Sequence, residues 1–309
     1  MTTLFYVIAY AAILGFCVIA FLKVRSYLAA SPLHVRWELY PVPHEGRKAA
    51  YGGSFMEGID WWSKPRAHDV KGDILALLEE VLFLHATFKH NIKLWFRTYP
   101  FHLGLYMLMG GIFLTLITAV AKIAGAENNG FIVFLGNVIN AVSMLGMLGI
   151  IGGGIGLIQR RVSDEGLSKY TTPEHFFNLG AFIFYALIGL GAWSVNPSFY
   201  VLSRDFLANL ITFNFAPLGS TAFGVHLFIG FLLMLWIPAT HMGHLIMKYF
   251  TYHDIRWGDE PTSFSAANQK KIDAALKFPV SWAAPHIAGD GKKTWADVAT
   301  TNPAAPKND

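Results

Sequence analysis

The chain has 309 residues, of which 54% are hydrophobic and 14% charged, and its mean hydropathy is +0.41. This composition is typical of a membrane protein with several spans, and the net charge of +4 is so unevenly placed that we expect it to set topology rather than nucleic-acid binding. The single cysteine, Cys17, excludes an intrachain disulfide and an iron–sulfur or thiolate zinc site built by this chain alone, and no C-x-x-C-H motif is present for covalent haem attachment.

Five apolar segments approach or exceed the ~20 residues that a helix needs to cross a bilayer. The first has no basic residue before its apolar run, whereas Lys23 and Arg25 follow it, so we predict an uncleaved anchor rather than a signal peptide. Together the segments predict an all-α membrane protein with a bundle of five transmembrane helices, at residues 4–22, 101–123, 131–157, 176–193 and 222–250.

The basic residues are confined to one side of these spans. Of the 24 Lys and Arg residues, all but Lys122 and Arg204 lie in residues 23–97, in residues 160–169 or beyond residue 247. Cytoplasmic loops of membrane proteins carry such an excess of positive charge. The pattern predicts an N-terminus outside and a C-terminus in the cytoplasm, in the inner membrane of a bacterial or archaeal cell.

The spans divide the chain into four predicted parts. Residues 1–24 form the first transmembrane helix, and residues 25–99 form a cytoplasmic loop with an amphipathic surface helix at 74–96, capped by Asp73 and ending before Pro100. Residues 100–251 form a four-helix membrane domain, whose aromatic outer loop at 194–221 is expected to be an interfacial helix or a lid. Residues 252–309 form a cytoplasmic tail, expected to be an extended arm.

Two histidines of the last apolar segment, His226 and His244, are 18 residues apart. On one continuous helix they would lie about 27 Å apart, near opposite faces of the bilayer, with both rings on the same side of the helix. Histidine inside a membrane is costly and usually marks a function, of which axial ligation of haem iron is the most familiar.

A third histidine, His102, begins the second span and is expected at the same depth as His244, because both lie at the cytoplasmic ends of antiparallel helices. Two imidazoles that face each other across a bundle form a bis-histidine site for haem b. His241, three residues before His244, is predicted to be a substitute ligand or a hydrogen-bond donor to a haem propionate. Arg97, Arg160 and Arg161 are expected to pair with propionates or simply to anchor the cytoplasmic ends of their helices.

The stretch from His226-Leu-Phe-Ile-Gly-Phe through Pro238 to His244 resembles the last helix of the respiratory nitrate reductase gamma subunit family. Phe101-His102-Leu103-Gly104 resembles the start of that family's second helix, and the glycine-rich residues 152–156 fit the third. The loop and the tail are more similar to the cytochrome b subunits of transmembrane redox complexes in sulfate reducers, whose iron–sulfur partner resembles heterodisulfide reductase.

The resemblance implies two b haems, an inner one bound by His102 and His244 and an outer one bound by His226. The second outer ligand would stand ten residues beyond His102, where this chain has Ile112. We therefore expect one haem b, with a second only if another residue, such as a methionine of the second or third span, replaces that ligand.

His226 has an alternative role, because Lys122 is also predicted near the outer face. Together they would bind a quinone carbonyl, although Lys122 is equally explained as a lysine that extends to the membrane surface.

The predicted function is that of a membrane cytochrome b subunit in a respiratory complex, which does not act alone. It would pass electrons between a quinone of the menaquinone type and a cytoplasmic iron–sulfur subunit, and a periplasmic multihaem cytochrome is a further candidate partner. The alternatives are a haem-free membrane anchor and a transporter. The second is disfavoured because no inverted repeat or pair of broken helices is evident.

Overall fold

A computed structural model describes residues 2–29, 51, 57–60, 63–64, 69–244, 266–284, 287 and 289–302. Within these ranges every regular element is a helix, apart from two isolated β-bridges. Five helices are long and apolar enough to cross a membrane, which confirms the predicted spans. They are α1 (Thr2–Ala29), α4 (Ile92–Ile123), α5 (Gly130–Ser163), α7 (Pro173–Val195) and α9 (Thr221–Ala239).

The chain divides into two compact units, of which the first comprises residues 1–22 and 78–244 and the second residues 23–77 and 245–309. In the first unit, α4 packs on α5, α5 on α7, and α7 on α9. Shorter helices join these spans, namely α3 (His85–His90), α6 (Glu165–Ser168) and α8 (Phe199–Ile211). Helix α8 packs against α4 and α5, so the aromatic loop predicted after the fourth span contains a helix that belongs to the bundle.

Glycine makes the contact between α4 and α5 unusually close. A Cβ on Gly104 of α4 would lie 2.5 Å from the carbonyl oxygen of Gly146, and a Cβ on Gly149 would lie 2.8 Å from that of Pro100. One turn further along α5, a Cβ on Gly153 would overlap with the backbone nitrogen of Phe101. Small residues let membrane helices approach backbone to backbone. The part of α4 that carries His102 is therefore pressed directly onto α5.

Two apolar clusters fill the bundle. One joins α1, α8 and α9 through buried side chains that include Tyr6, Phe206 and Phe223. The other joins α4, α5, α7 and α9 through side chains that include Phe101, Ile150 and Phe182. The clusters hold α8 and α9 against the remaining helices of the first unit.

The prediction of one surface helix at residues 74–96 that ends before Pro100 is wrong. Helix α2 (Val70–Phe83) begins beside Asp69, whose side chain accepts a hydrogen bond from the Gly72 amide, and a left-handed residue, Leu84, ends it. Helix α4 then begins after Asn91, which caps the Leu94 amide, and it continues through Pro100. A proline within a membrane helix is tolerated because neighbouring helices compensate for the lost hydrogen bond.

The prediction that one continuous helix carries both His226 and His244 is also wrong. Helix α9 ends at Ala239, Thr240 has extended backbone, and a 3-10 turn follows at His241–Gly243. Pro238 lies one residue before the end of α9 and removes one hydrogen bond from its last turns. The two rings consequently do not share one side of a straight helix, and residues 245–250 of the predicted span lie outside the described residues.

Within the second unit, part of the predicted extended arm is folded. It contains α10 (Ala266–Leu276) and α11 (Trp295–Thr300), and bridges join Pro279 to Thr294 and Ala284 to Ile287. Hydrogen bonds from the Thr294 amide and hydroxyl hold the pKa of the Asp297 carboxyl below its usual value, as expected of a helix cap. The prediction of an extended arm is therefore wrong for the described residues between 266 and 302.

We predict opposite effects for two neighbouring glycines of α5. Gly153→Ala forces α4 away from α5 and lowers the free energy of unfolding by about 1–3 kcal/mol. Gly152→Ala is the control, because a Cβ there meets nothing within 4 Å, and the better helix former leaves stability unchanged or raises it by up to ~1 kcal/mol. Thermal unfolding of both variants in one detergent measures the difference, and equal effects would contradict the close packing.

Candidate functional site

The His102 ring is fixed by its own helix. Its Nδ1 lies 2.8 Å from the carbonyl oxygen of Thr98 and 3.2 Å from the hydroxyl oxygen of Thr98. A carbonyl oxygen can only accept, so Nδ1 carries the hydrogen and donates it. In a neutral ring the lone pair then lies on Nε2, which is the arrangement that a metal-binding histidine adopts.

His244 is oriented in the same way by a different piece of backbone. Its Nδ1 lies 3.1 Å from the carbonyl oxygen of His241, within the turn that follows α9. Because this oxygen also only accepts, the lone pair of a neutral His244 ring is again on Nε2. Side chain and turn are thus linked, because the accepting carbonyl belongs to the 3-10 turn at His241–Gly243.

The two rings meet. The centroids of His102 and His244 are 6.2 Å apart, with 62° between the ring planes. His102 is half-buried and His244 is exposed, so the pair lies at the margin of the bundle. A metal–imidazole bond is about 2.0 Å long, so two such bonds in line place two ring centres about 6 Å apart. The observed separation is suited to one metal ion held between two imidazoles.

Larger metal-binding clusters are not found in the described part of the chain, where no three His, Cys, Asp or Glu side chains come together. A haem iron needs only two axial ligands from the protein, because the porphyrin supplies the other four.

His241 belongs to a separate polar network on α7. Its Nδ1 lies 3.0 Å from the carboxylate of Glu174, and the side-chain amide of Asn178 lies 3.3 Å from its Nε2. The Trp236 indole donates to the oxygen of the same Asn178, at 2.6 Å. The His175 ring is 5.2 Å away. The network ties the turn that carries His244 to α7, and it occupies both ring nitrogens of His241.

Sequence reasoning missed this network. Asn178 is almost fully buried, at 1% exposure, in the middle of otherwise apolar neighbours on α7. A polar side chain inside an apolar membrane segment usually has a specific partner, and this was the available signal. The partners lie about 60 residues away along the chain, and nothing in the local pattern identifies them.

The three candidate arginines have individual contacts. The aliphatic part of Arg97 packs against Gly156 of α5, where an added Cβ would lie 3.3 Å from the Arg97 Cγ. Arg160 forms a 3.9 Å ion pair with Asp164, and Arg161 donates to the hydroxyl of Thr171 at 3.4 Å. Arg97 precedes His102 by five residues on the same helix, which turns the two side chains about 140° apart, so its pairing with a propionate stays a prediction.

His226 lies in a different environment, within the aromatic core. Its ring is stacked on Tyr185, with centroids 4.4 Å apart, and meets the edge of Phe199 at 5.5 Å. A Cβ on Gly189 would lie 2.8 Å from the His226 ring and 2.5 Å from the sulfur of Met147, so this glycine makes room for both. The side chain is 7% exposed, and no partner for its Nδ1 is found among the described residues.

Lys122 has an ionic partner. Its ammonium nitrogen lies 2.6 Å from Asp205 of α8, and Arg204 contacts the same carboxylate at 2.9 Å. The pairing joins α8 to the end of α4. Its two cations, Lys122 and Arg204, are the two basic residues predicted on the outer side. It gives Lys122 a structural role, and none of the contacts described for it involves His226.

No family model, curated protein or solved structure matches this chain. The geometry of the described residues therefore carries the functional argument.

Breaking the Asn178 network should destabilise the protein. Asn178→Leu leaves the Trp236 indole and the His241 ring without their amide partner, at a cost of about 1–3 kcal/mol. Trp236→Phe removes the other half of one bond, so the double variant should lose less stability than the sum of the two single variants. Thermal unfolding gives all three values.

Trp193→Phe is the matched control for that cycle. Its buried indole nitrogen has no hydrogen-bond partner among the residues that the structure describes, so the change should be neutral or stabilising. Strictly additive costs for Asn178 and Trp236 would show that the network does not act as a unit.

Proposed function

We propose that the chain is a membrane cytochrome b subunit that holds one haem b between His102 and His244. It passes electrons between a membrane quinone, of the menaquinone type, and an iron–sulfur subunit on the cytoplasmic side. The observation that carries the proposal is the 6.2 Å separation of the two imidazole rings, which come from elements more than 130 residues apart in the chain.

The tautomers support the same assignment. Both rings donate Nδ1–H to a backbone carbonyl, of Thr98 for His102 and of His241 for His244, so both neutral rings offer Nε2 to a metal. A bound haem would supply one-electron transfer, while the protein contributes ligands, orientation and burial.

The surroundings of His226 argue against a second haem. Tyr185 covers one face of its ring, and Met147 and Gly189 are packed against it. Position 112, where the resemblance expects the partner ligand, is an isoleucine. The proposal is therefore one haem per chain, at the predicted cytoplasmic end of the bundle.

The distribution of charge supports the proposed orientation and docking side. With the N-terminus outside, 22 of the 24 basic residues lie on the cytoplasmic side, together with the exposed edge of His244. Transfer to a docked iron–sulfur subunit would then start from a haem next to that surface. The proposed subunit does not act alone, and its resemblance to redox complexes of sulfate reducers is the basis for the nature of its partner.

Haem content tests the proposal. The purified full chain should contain one haem b per chain by the pyridine haemochrome method, and the reduced-minus-oxidised spectrum should show a b-type α band. His102→Ala and His244→Ala should each abolish the band, because each removes an axial ligand. The control His241→Gln should retain it, since that ring faces Glu174 and Asn178.

The other outcomes separate the alternatives. Wild-type protein without haem, expressed in cells that make other b-type cytochromes, would favour a membrane anchor or a transporter. Two haems per chain, one of them lost in His226→Phe, would favour the two-haem arrangement that the resemblance implies.

The orientation is tested by labelling single cysteines in intact cells. In a Cys17→Ser background, Thr2→Cys should react with a membrane-impermeant maleimide, whereas Lys292→Cys should react only after the cells are permeabilised. Both positions are in described parts of the chain, one at the start of α1 and the other between α10 and α11. The reverse pattern would invert the predicted topology.

A further inference from the structure

A cavity of about 240 Å³ lies inside the first unit, at the His226 end of the bundle. Helices α1, α4, α5, α7, α8 and α9 line it, mostly with apolar side chains such as Leu108, Ile139 and Phe231. It is clear of the His102–His244 pair, which does not contribute to its walls.

Two residues that line this cavity, His226 and Tyr200, are buried and each carries a polar atom that lacks a partner among the described residues. His226 is 7% exposed and Tyr200 is 8% exposed. Across the described residues, neither Nδ1 of His226 nor the hydroxyl of Tyr200 has a hydrogen-bond partner. Both residues line the cavity. Burying such groups unpaired lowers stability, and unpaired groups in a native structure call for an explanation, of which a ligand is one.

Both rings pack closely against a glycine of a neighbouring helix. A Cβ on Gly136 of α5 would overlap with the Tyr200 ring, and a Cβ on Gly189 of α7 would lie 2.8 Å from the His226 ring. The stacking of Tyr185 on His226 and the Arg204 guanidinium, 5.9 Å above the Tyr200 ring, fix the two further. The two residues therefore belong to a largely apolar enclosure with a few polar groups, which is how small-molecule sites are usually built.

The lining selects the kind of ligand. Apolar and aromatic walls suit a flat ring system, and a phenol and an imidazole suit the oxygen atoms at its edge, with Asn140 and Ser143 as additional polar groups. The volume is below the ~300–1,000 Å³ that is usual for a drug-sized ligand, so a macrocycle such as haem does not fit, whereas one or two fused rings do. Ile112 lines the cavity and is 60% exposed, so the wall at this position lies at the surface of the bundle, where an apolar tail could leave.

We infer that this cavity binds the ring of the membrane quinone, with Tyr200 and His226 as hydrogen-bond partners of its oxygen atoms. The inference rests on the quinone-linked function proposed above and assigns it a site. It replaces the predicted pairing of His226 with Lys122, because Lys122 binds Asp205 and does not line the cavity. It also gives position 112 a role as part of the entrance, where the resemblance would have placed a haem ligand.

The test uses the purified full chain in detergent and menadione, a naphthoquinone without a long tail, with binding measured by calorimetry. Tyr200→Phe and His226→Phe should each weaken menadione binding by about 2-fold to 10-fold, because each removes one hydrogen bond. The thermal stability of Tyr200→Phe should stay the same or rise, because this change removes a buried unpaired hydroxyl and keeps the ring. A merely structural role predicts no change in affinity.

Two controls make the result specific. Tyr6→Phe removes a hydroxyl that does have a partner, the carbonyl oxygen of Ala216, outside the cavity lining, so it should lower stability and leave menadione affinity unchanged. The hydrocarbon 2-methylnaphthalene has a similar shape without oxygen atoms, so the two site variants should not weaken its binding.

The inference is overturned if wild-type protein does not bind menadione, or if both site variants bind it with wild-type affinity. Haem content, measured on the same samples, keeps this result apart from the proposed function. Haem-loaded protein without menadione binding would overturn the site alone, whereas haem-free protein with the expected pattern of affinities would overturn the cytochrome assignment and leave the site standing.

Discussion

The meeting of His102 and His244 depends on backbone constraints in two separate elements. On α4, the turn that carries His102 is pressed onto α5 through Gly104, Gly149 and Gly153, which leaves no room for a Cβ at the interface. After α9, the chain turns at Thr240 and continues in a 3-10 turn whose carbonyl accepts the His244 hydrogen bond. If either constraint were relaxed, the rings would lose the relative position that suits a metal between them.

The polar side chains near His244 are hydrogen-bonded to one another, whereas two polar atoms near His226 have no partner among the described residues. Near His244 the polar groups are paired, since Asn178 joins Trp236 to His241 and Glu174 completes the chain. Such a network rigidifies the turn that it contacts, because each member has a partner. Near His226 two polar atoms remain unpaired in an apolar cavity. The first arrangement is suited to holding a fixed ligand geometry, and the second to receiving a molecule that enters and leaves.

Much of the fold could be predicted from the sequence because the bilayer imposes length and hydropathy on every span. Five apolar blocks predicted five spans, although α4 begins nine residues before its predicted start and α9 ends eleven residues before its predicted end. Local sequence signals did not predict the ends of two helices, because those ends depend on tertiary contacts. Pro100 does not end a helix when neighbouring helices support it, whereas Pro238 precedes a break that the apolar run through residue 250 conceals.

The candidate site was predictable only in part, for the same reason. Helix direction and depth suggested that His102 and His244 approach each other, because both quantities follow from topology. The partner of Lys122 could not be predicted, because Asp205 lies on a helix whose packing depends on the whole bundle. Neither could the cavity, whose walls come from six helices and whose lining residues range from Ile13 to Met234.

The central claim is that one iron is held by two imidazoles, and electron paramagnetic resonance of the oxidised, purified chain tests it most directly. The account predicts a low-spin ferric haem with bis-imidazole ligation, replaced by a high-spin signal or lost altogether when His244 is changed to Ala. A wild-type protein whose haem is high-spin, or whose low-spin signal survives that substitution, would contradict it.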